Sequence, residues 1–145
     1  MQSVFRWWLV AVLCTALAAC GKSPNEQALR DTIKAMQTAV EKKDNGAFMQ
    51  HVSAHVRVTS PDTGELDREG VRRTLTGVLL AYPTIHTGTT VRELTINGAT
   101  AQTIVEVVTG GGAGALPDAA RHFTFNLTWL HDGSHWKLSG ATWER

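Results

Sequence analysis

The sequence predicts an α+β domain in which a curved antiparallel sheet wraps around three helices, and three observations carry that prediction. Apolar residues recur with helical spacing through the first half of the chain. From Thr89 onward the pattern alternates, as in half-buried strands, and the alternating residues on one side are large. A length of 145 residues with 43% hydrophobic and 19% charged content suits one globular domain. Lys and Arg total 14 against 13 Asp and Glu, so there is no cationic excess for a phosphate backbone, which argues against a nucleic-acid partner.

The segment that precedes the first helix is read as an export leader. Arg6 is followed by an apolar run from Trp7 to Ala19 broken only by Thr15. As a helix that run would span about 20 Å at ~1.5 Å per residue, short of the roughly 30 Å hydrocarbon core. It ends Leu17-Ala18-Ala19-Cys20, an aliphatic residue and two small ones before a cysteine, which resembles the bacterial lipobox. Ala16-Leu17-Ala18 also fits an ordinary signal-peptidase site. The lipobox reading makes residues 1–19 a lipoprotein signal peptide, 20–25 a lipidated tether and 26–145 the folded domain. Cys20 is then the lipid attachment site, and the membrane is a partner through that anchor. The two or three acyl chains implied would hold the protein stably, at about 0.8 kcal/mol per buried methylene. With Cys14 removed and Cys20 acylated, no thiol is left for a disulfide. Gly21 replaces the Asp that signals inner-membrane retention in many Gram-negative bacteria, so the expected location is the outer membrane, facing the periplasm.

Ser23-Pro24-Asn25-Glu26 reads as a capping box that starts the first helix. Leu29, Ile33, Met36 and Val40 form its apolar stripe, and Asp44-Asn45-Gly46 ends it. Ala47 to Val52 is expected as a short second helix with Phe48 inward. Asp67 caps a third helix that runs to Tyr82 and stops at Pro83, with Val71, Leu75, Val78, Leu79 and Tyr82 on its buried face. Strands are expected at Thr89–Ile96, Thr100–Thr109, Arg121–His131 and Trp136–Glu144, with a shorter one near Val56–Ser60. Asn97-Gly98 marks a hairpin turn. Gly110 to Asp118 is a glycine-rich loop without the Gly-Lys-Ser/Thr ending of a phosphate loop, and flexibility explains it.

Strand parity assigns faces. Phe123, Phe125, Leu127 and Trp129 alternate with His122, Thr124, Asn126 and Thr128, so the first set faces the core. Placing Thr109 opposite Arg121 pairs Val107 with Phe123, Val105 with Phe125 and Glu106 with Thr124. On the last strand Trp136, Leu138, Gly140 and Thr142 continue the inward set, and Ala141 and Trp143 point out. Val91, Ile104, Ala141 and Trp143 would then form an outer apolar patch suited to a homodimer.

The order of elements, together with Ala47-Phe48-Met49, Leu94-Thr95-Ile96-Asn97-Gly98 before Ala101, and Asp132-Gly133-Ser134-His135-Trp136-Lys137-Leu138, resembles the nuclear transport factor 2-like superfamily. That superfamily shares its cone with ketosteroid isomerase and the SnoaL-like polyketide cyclases. The resemblance implies the cone fold over nearly all of the domain and dimerisation by the outer sheet face. It spans enzymes, transport factors and accessory domains, so it does not fix an activity.

No residue set dictates a reaction, a metal or a cofactor. His51 and His55 are four apart but lack the Glu of H-E-x-x-H, and they read as surface histidines. His131, Asp132 and His135 read as a solvated hairpin tip. Ketosteroid isomerase uses a tyrosine and a protonated carboxylic acid deep in the cone; the single tyrosine here, Tyr82, ends a helix, and no catalytic aspartate matches. Glu106 falls on the outer face. Arg92 either turns into the cone, where it could meet an anionic group, or is sent to solvent by a β-bulge near Val91. The expected ligand pocket comprises Phe48, Leu79, Arg92, Phe125, Leu127, Trp129, Leu138 and Gly140, with Gly140 either leaving space or relieving sheet curvature. Two function classes follow: a non-catalytic envelope lipoprotein whose cone binds a small apolar ligand or a protein partner, and an enzyme of the cyclase or isomerase type.

Overall fold

A computed structural model describes residues 24–62, 64–111 and 120–144. Cys20, Ser23 and most of the glycine-rich segment lie outside the described residues. Helix α1, Pro24–Glu41, buries the expected stripe, with Leu29 fully buried and Ile33 and Met36 each 7% exposed. Arg30 reaches back one turn to Glu26 at 3.0 Å. The chain leaves the helix through Lys43, whose φ of 58° is left-handed. Asp44 then caps α2, Asn45–Met49, by accepting the Ala47 N–H at 2.8 Å. The short helix therefore starts earlier than expected, and Val52 already belongs to β1, Val52–Ser60. β2, Gly64–Leu66, was not expected, since three residues are too short to show alternation.

Asp67 caps α3, Arg68–Ala81, as its sequence indicates, accepting the Gly70 N–H at 2.8 Å. The remaining strands are β3, His86–Asn97; β4, Thr100–Gly110; β5, Arg121–His131; and β6, Trp136–Glu144. They form one six-stranded sheet in the order β2-β1-β6-β5-β4-β3. All pairs are antiparallel except β1 with β6, which run parallel. Such a pair needs a long crossover, here the whole chain between the two strands.

The β4/β5 register is the expected one: Thr109 faces Arg121, Val107 faces Phe123 and Val105 faces Phe125. The β3/β4 turn falls at the expected Asn97-Gly98 pair and takes one definite register. Asn97 pairs with Thr100, so Gly98 and Ala99 form the loop, and Gly98 takes the positive φ of 62° that the first central position of a II′ turn requires.

Two bulges reverse side-chain phase. In β3, Val91 pairs with Val105 and Glu93 with Ile104, which leaves Arg92 as the extra residue. In β6, Leu138 pairs with Trp129 but Gly140 with Thr128, which makes Ser139 the extra residue; its hydroxyl donates to the Thr128 carbonyl at 3.1 Å. Beyond that bulge the assigned faces exchange. Ala141 and Trp143 turn inward, and Gly140 turns outward, where a Cβ would meet the Thr128 side chain at 3.5 Å and the Arg57 carbonyl at 3.6 Å. Val91 also packs on the core, so of the four residues expected in an outer apolar patch only Ile104 stays outside. The core joins α1, α2 and β1 to the inner sheet face around the fully buried Trp129 and Trp136.

Candidate functional site

The inner sheet face, α1 and α3 enclose a cavity of about 460 Å³, within the usual range for small-molecule sites. α1 contributes Ile33, Met36, Gln37 and Val40, and α3 contributes Val71, Thr74, Leu75 and Val78. The floor is the inward set of three strands: Val105 and Val107 of β4, Phe123, Phe125, Leu127 and Trp129 of β5, and Leu138, Ala141 and Trp143 of β6. Phe125 bridges Phe123 and Trp143, with ring centroids 6.1 Å and 5.7 Å away. Beneath them the Trp129 indole N–H donates to the Thr103 hydroxyl at 3.0 Å, which satisfies the one polar group of a fully buried ring.

Polar groups gather where the C-terminal end of α1 meets the start of β3. The Gln37 amide Nε2 donates to the Thr87 carbonyl at 2.7 Å and to Glu41 Oε1 at 3.3 Å. Its Oε1 accepts the Thr89 hydroxyl at 2.5 Å. Glu41 Oε1 also accepts the Thr87 N–H at 3.2 Å and the Thr87 hydroxyl at 3.1 Å. Desolvation alone would raise the Glu41 carboxyl, but the Thr87 N–H, Gln37, the Thr87 hydroxyl and the charge of His86 together hold it below its usual value. The strand is thus pinned to the helix by an ionised carboxylate.

Of the pocket residues expected from sequence, Phe48, Phe125, Leu127, Trp129 and Leu138 line this cavity. Three do not. Leu79 is buried but lies off the Val71, Leu75, Val78 stripe that α3 turns to the cavity. Gly140 is on the outer face because of the Ser139 bulge. Arg92 is also outside: the bulge at its own position directs it to Glu106, with Nη2 2.8 Å from Oε2. Its hydrogen bond lowers the Glu106 carboxyl and raises the guanidinium, and His122 stands 3.9 Å from the same oxygen. Val78 and Tyr82, expected to be buried, are 43% and 40% exposed.

Sequence reasoning missed Ala141 and Trp143, which the Ser139 bulge concealed, and the Gln37, Thr87 and Thr89 group, whose pairing spans fifty residues. Phe123, Val105 and Val107 were already legible as inward.

Neither histidine pair lines the cavity. His51 lies in the turn before β1 and His55 within β1, so they share no helical face. Burial, with Lys137 and His135 nearby, lowers the His51 pKa. Asp132 accepts the Ser134 and His135 N–H groups at 2.9 Å and 2.7 Å, which depresses its carboxyl and shapes the hairpin. His131 packs edge-on against Trp136 at 5.0 Å. Among the described residues, no group of three His, Cys, Asp or Glu side chains could hold a metal.

No protein-family model matches this sequence, and no curated protein matches it. Solved structures do. An NTF2-like-family protein from Streptomyces avermitilis, named for a proposed dehydratase activity, aligns at 15% identity over 82% of this chain and 94% of its own, with a TM-score of 0.72. A domain of unknown function with a cystatin-like fold from Nostoc punctiforme gives 14% identity, 86% and 79% coverage and a TM-score of 0.74. The dehydrochlorinase LinA, whose type 2 form is named for hexachlorocyclohexane, gives 18% identity, 82% and 84% coverage and 0.71. At these identities the likeness establishes the fold: the chain adopts the NTF2-like, cystatin-like α+β cone.

Proposed function

We propose that the domain is a non-catalytic binding module that takes a small, largely apolar ligand into the cone, and that a lipid on Cys20 holds it at a bacterial envelope membrane. The observation that carries this reading is the cavity of about 460 Å³ lined by three strands' worth of aliphatic and aromatic side chains. Its polar end is made of groups that bond to one another, and the lining includes no histidine among the described residues. A general base needs a titratable group within hydrogen-bond reach of the proton it removes. Asp62 lines the cavity and is the one feature that favours the alternative, an isomerase- or cyclase-type enzyme; under that reading a bound ligand is recovered chemically altered and the Asp62→Asn variant returns it unchanged.

Equilibrium dialysis of the full chain in a nonionic detergent, with naphthalene as the probe, tests the binding reading. Naphthalene should bind saturably, and Ala141→Phe, which projects a ring into the cavity, should abolish binding while keeping the far-ultraviolet dichroism. Binding unaffected by Ala141→Phe, or no saturable binding to the parent, contradicts it. The anchor is tested separately. Cys20→Ala should release the protein from the detergent phase, and globomycin should make the precursor accumulate; an unchanged distribution rejects the lipid.

A further inference from the structure

The cavity's polar end specifies the chemistry of the ligand, an inference that rests on the binding reading above. Glu41 carries no hydrogen to donate when ionised, and the Thr87 carbonyl is likewise an acceptor. Both face Gln37 Nε2, so the amide has a single orientation, with both its hydrogens committed to these acceptors. Gln37 Oε1 is therefore the atom presented to Thr89, whose hydroxyl hydrogen is committed to it. The Thr87 hydroxyl hydrogen goes to Glu41. What the pair Gln37 and Thr89 has left to offer a ligand is lone pairs: one on Gln37 Oε1 and those of Thr89 Oγ1. Both residues line the cavity.

Charge points the same way. Among the described lining residues there is no Lys, Arg or His, and the one charged side chain is a carboxylate, Asp62. Arg92, the cation that could have met an anion in the cone, is on the other face of the sheet in its ion pair with Glu106. An anionic ligand would be desolvated among aromatic rings with no counter-charge, which is strongly unfavourable. The one lining carboxylate, Asp62, is exposed to solvent, so a cation placed at the polar end would lose its hydration for two neutral acceptors.

We propose that the ligand is an uncharged, mainly apolar molecule carrying a hydrogen-bond donor, a hydroxyl or an amide N–H, which it places on Thr89 Oγ1 and Gln37 Oε1, and that carboxylate-bearing amphiphiles are excluded. Glu41, outside the cavity, sets this preference by holding Gln37 in one orientation. It is a positioning residue, so replacing it should alter selectivity rather than apolar binding.

Four probes of one shape separate the contributions: naphthalene, 2-naphthol, 2-methoxynaphthalene and 2-naphthoate, dialysed at neutral pH against the full chain in nonionic detergent. The Ala141→Phe variant supplies the background. The donor 2-naphthol should bind about fivefold or more tighter than the acceptor-only 2-methoxynaphthalene, the worth of one ordinary hydrogen bond, and 2-naphthoate should show no saturable binding. Thr89→Val should bring 2-naphthol and 2-methoxynaphthalene to equal affinity. Glu41→Gln lies on the surface, which guards against a folding failure at Thr89. Its amide can donate to Gln37, free that side chain to turn, and so strengthen 2-methoxynaphthalene relative to 2-naphthol. If naphthalene binds but 2-naphthoate or 2-methoxynaphthalene matches 2-naphthol in the parent, or if the preference survives in both variants, the ligand class is wrong while the binding reading stands. If naphthalene itself fails to bind, the binding reading falls first.

Discussion

Helices α1 and α3 carry similar apolar stripes in the sequence and occupy different surroundings in the fold. Along α1, Leu29 is fully buried, Ile33 and Met36 are buried in the core while also reaching the cavity wall, and the C-terminal end is stitched to β3 through Gln37 and Glu41. α3 is tied down through its N-terminal half. Asp67 caps it, Arg68 Nη2 donates to the Met49 carbonyl at 3.0 Å, and Asn45 Nδ2 donates to the Arg72 carbonyl at 3.1 Å and the Thr76 hydroxyl at 2.6 Å. Farther along, the stripe borders the cavity, and Val78 and Tyr82 keep much of their surface in contact with solvent. An apolar stripe therefore shows which way a helix faces. It does not show whether the space it faces is filled.

The largest effect should come from truncating each stripe. Leu29→Ala removes a fully buried side chain from a packed core and should lower stability by about 2–5 kcal/mol in urea denaturation. Leu75→Ala enlarges a space that already exists and should cost less than about 1.5 kcal/mol. Equal losses at the two positions would mean that α3 packs as α1 does.

A smaller loss should follow Thr103→Val beneath the cavity. The substitution keeps the volume and removes the acceptor of the Trp129 indole, leaving a buried N–H unpaired at about 1–3 kcal/mol. Thr103→Ser retains the oxygen and should recover most of that loss in the same denaturation assay.

The smallest effect concerns the stitch itself. The folded-state pKa of Glu41 is depressed below 4.5, so the stability it contributes is present above that value and is lost as pH falls through the folded pKa. Unfolding midpoints measured from pH 7 down to pH 3 should therefore fall less for Glu41→Gln than for the parent. A parallel decline would show that the carboxylate does not bind α1 to β3.

The same contrast separates what the sequence made legible from what it did not. The β4/β5 pairing from Thr109 and Arg121 down to Val105 and Phe125 could be read residue by residue, because parity fixes both strands once one pair is set. The stripe of α1 and the cap at Asp67 were equally open to reading, whereas Asp44, read only as part of the turn that ends α1, caps α2. The bulge near Val91 was one of the two readings open for Arg92, but the bulge at Ser139 was not foreseen. A single extra residue at Arg92 or Ser139 changes no composition and leaves each flanking segment alternating, yet it moves Ala141 and Trp143 into the cavity and Gly140 and Arg92 out of it. Five of the eight expected pocket residues survive because they precede a bulge or lie on elements without one, whereas Leu79 fails by one helical position. The polar end of the site escaped for another reason: Gln37 and Thr89 look like ordinary surface residues until α1 is laid against β3.

Amide hydrogen exchange over α1 and α3, with and without naphthalene, tests most directly the claim that α3 covers an unfilled binding cavity. In the free protein the amides from Leu75 to Leu79 should open at lower free energy than those from Ile33 to Gln37, and naphthalene should slow the α3 amides while leaving α1 nearly unchanged. Equal protection of the two helices, unaltered by naphthalene, would contradict the account.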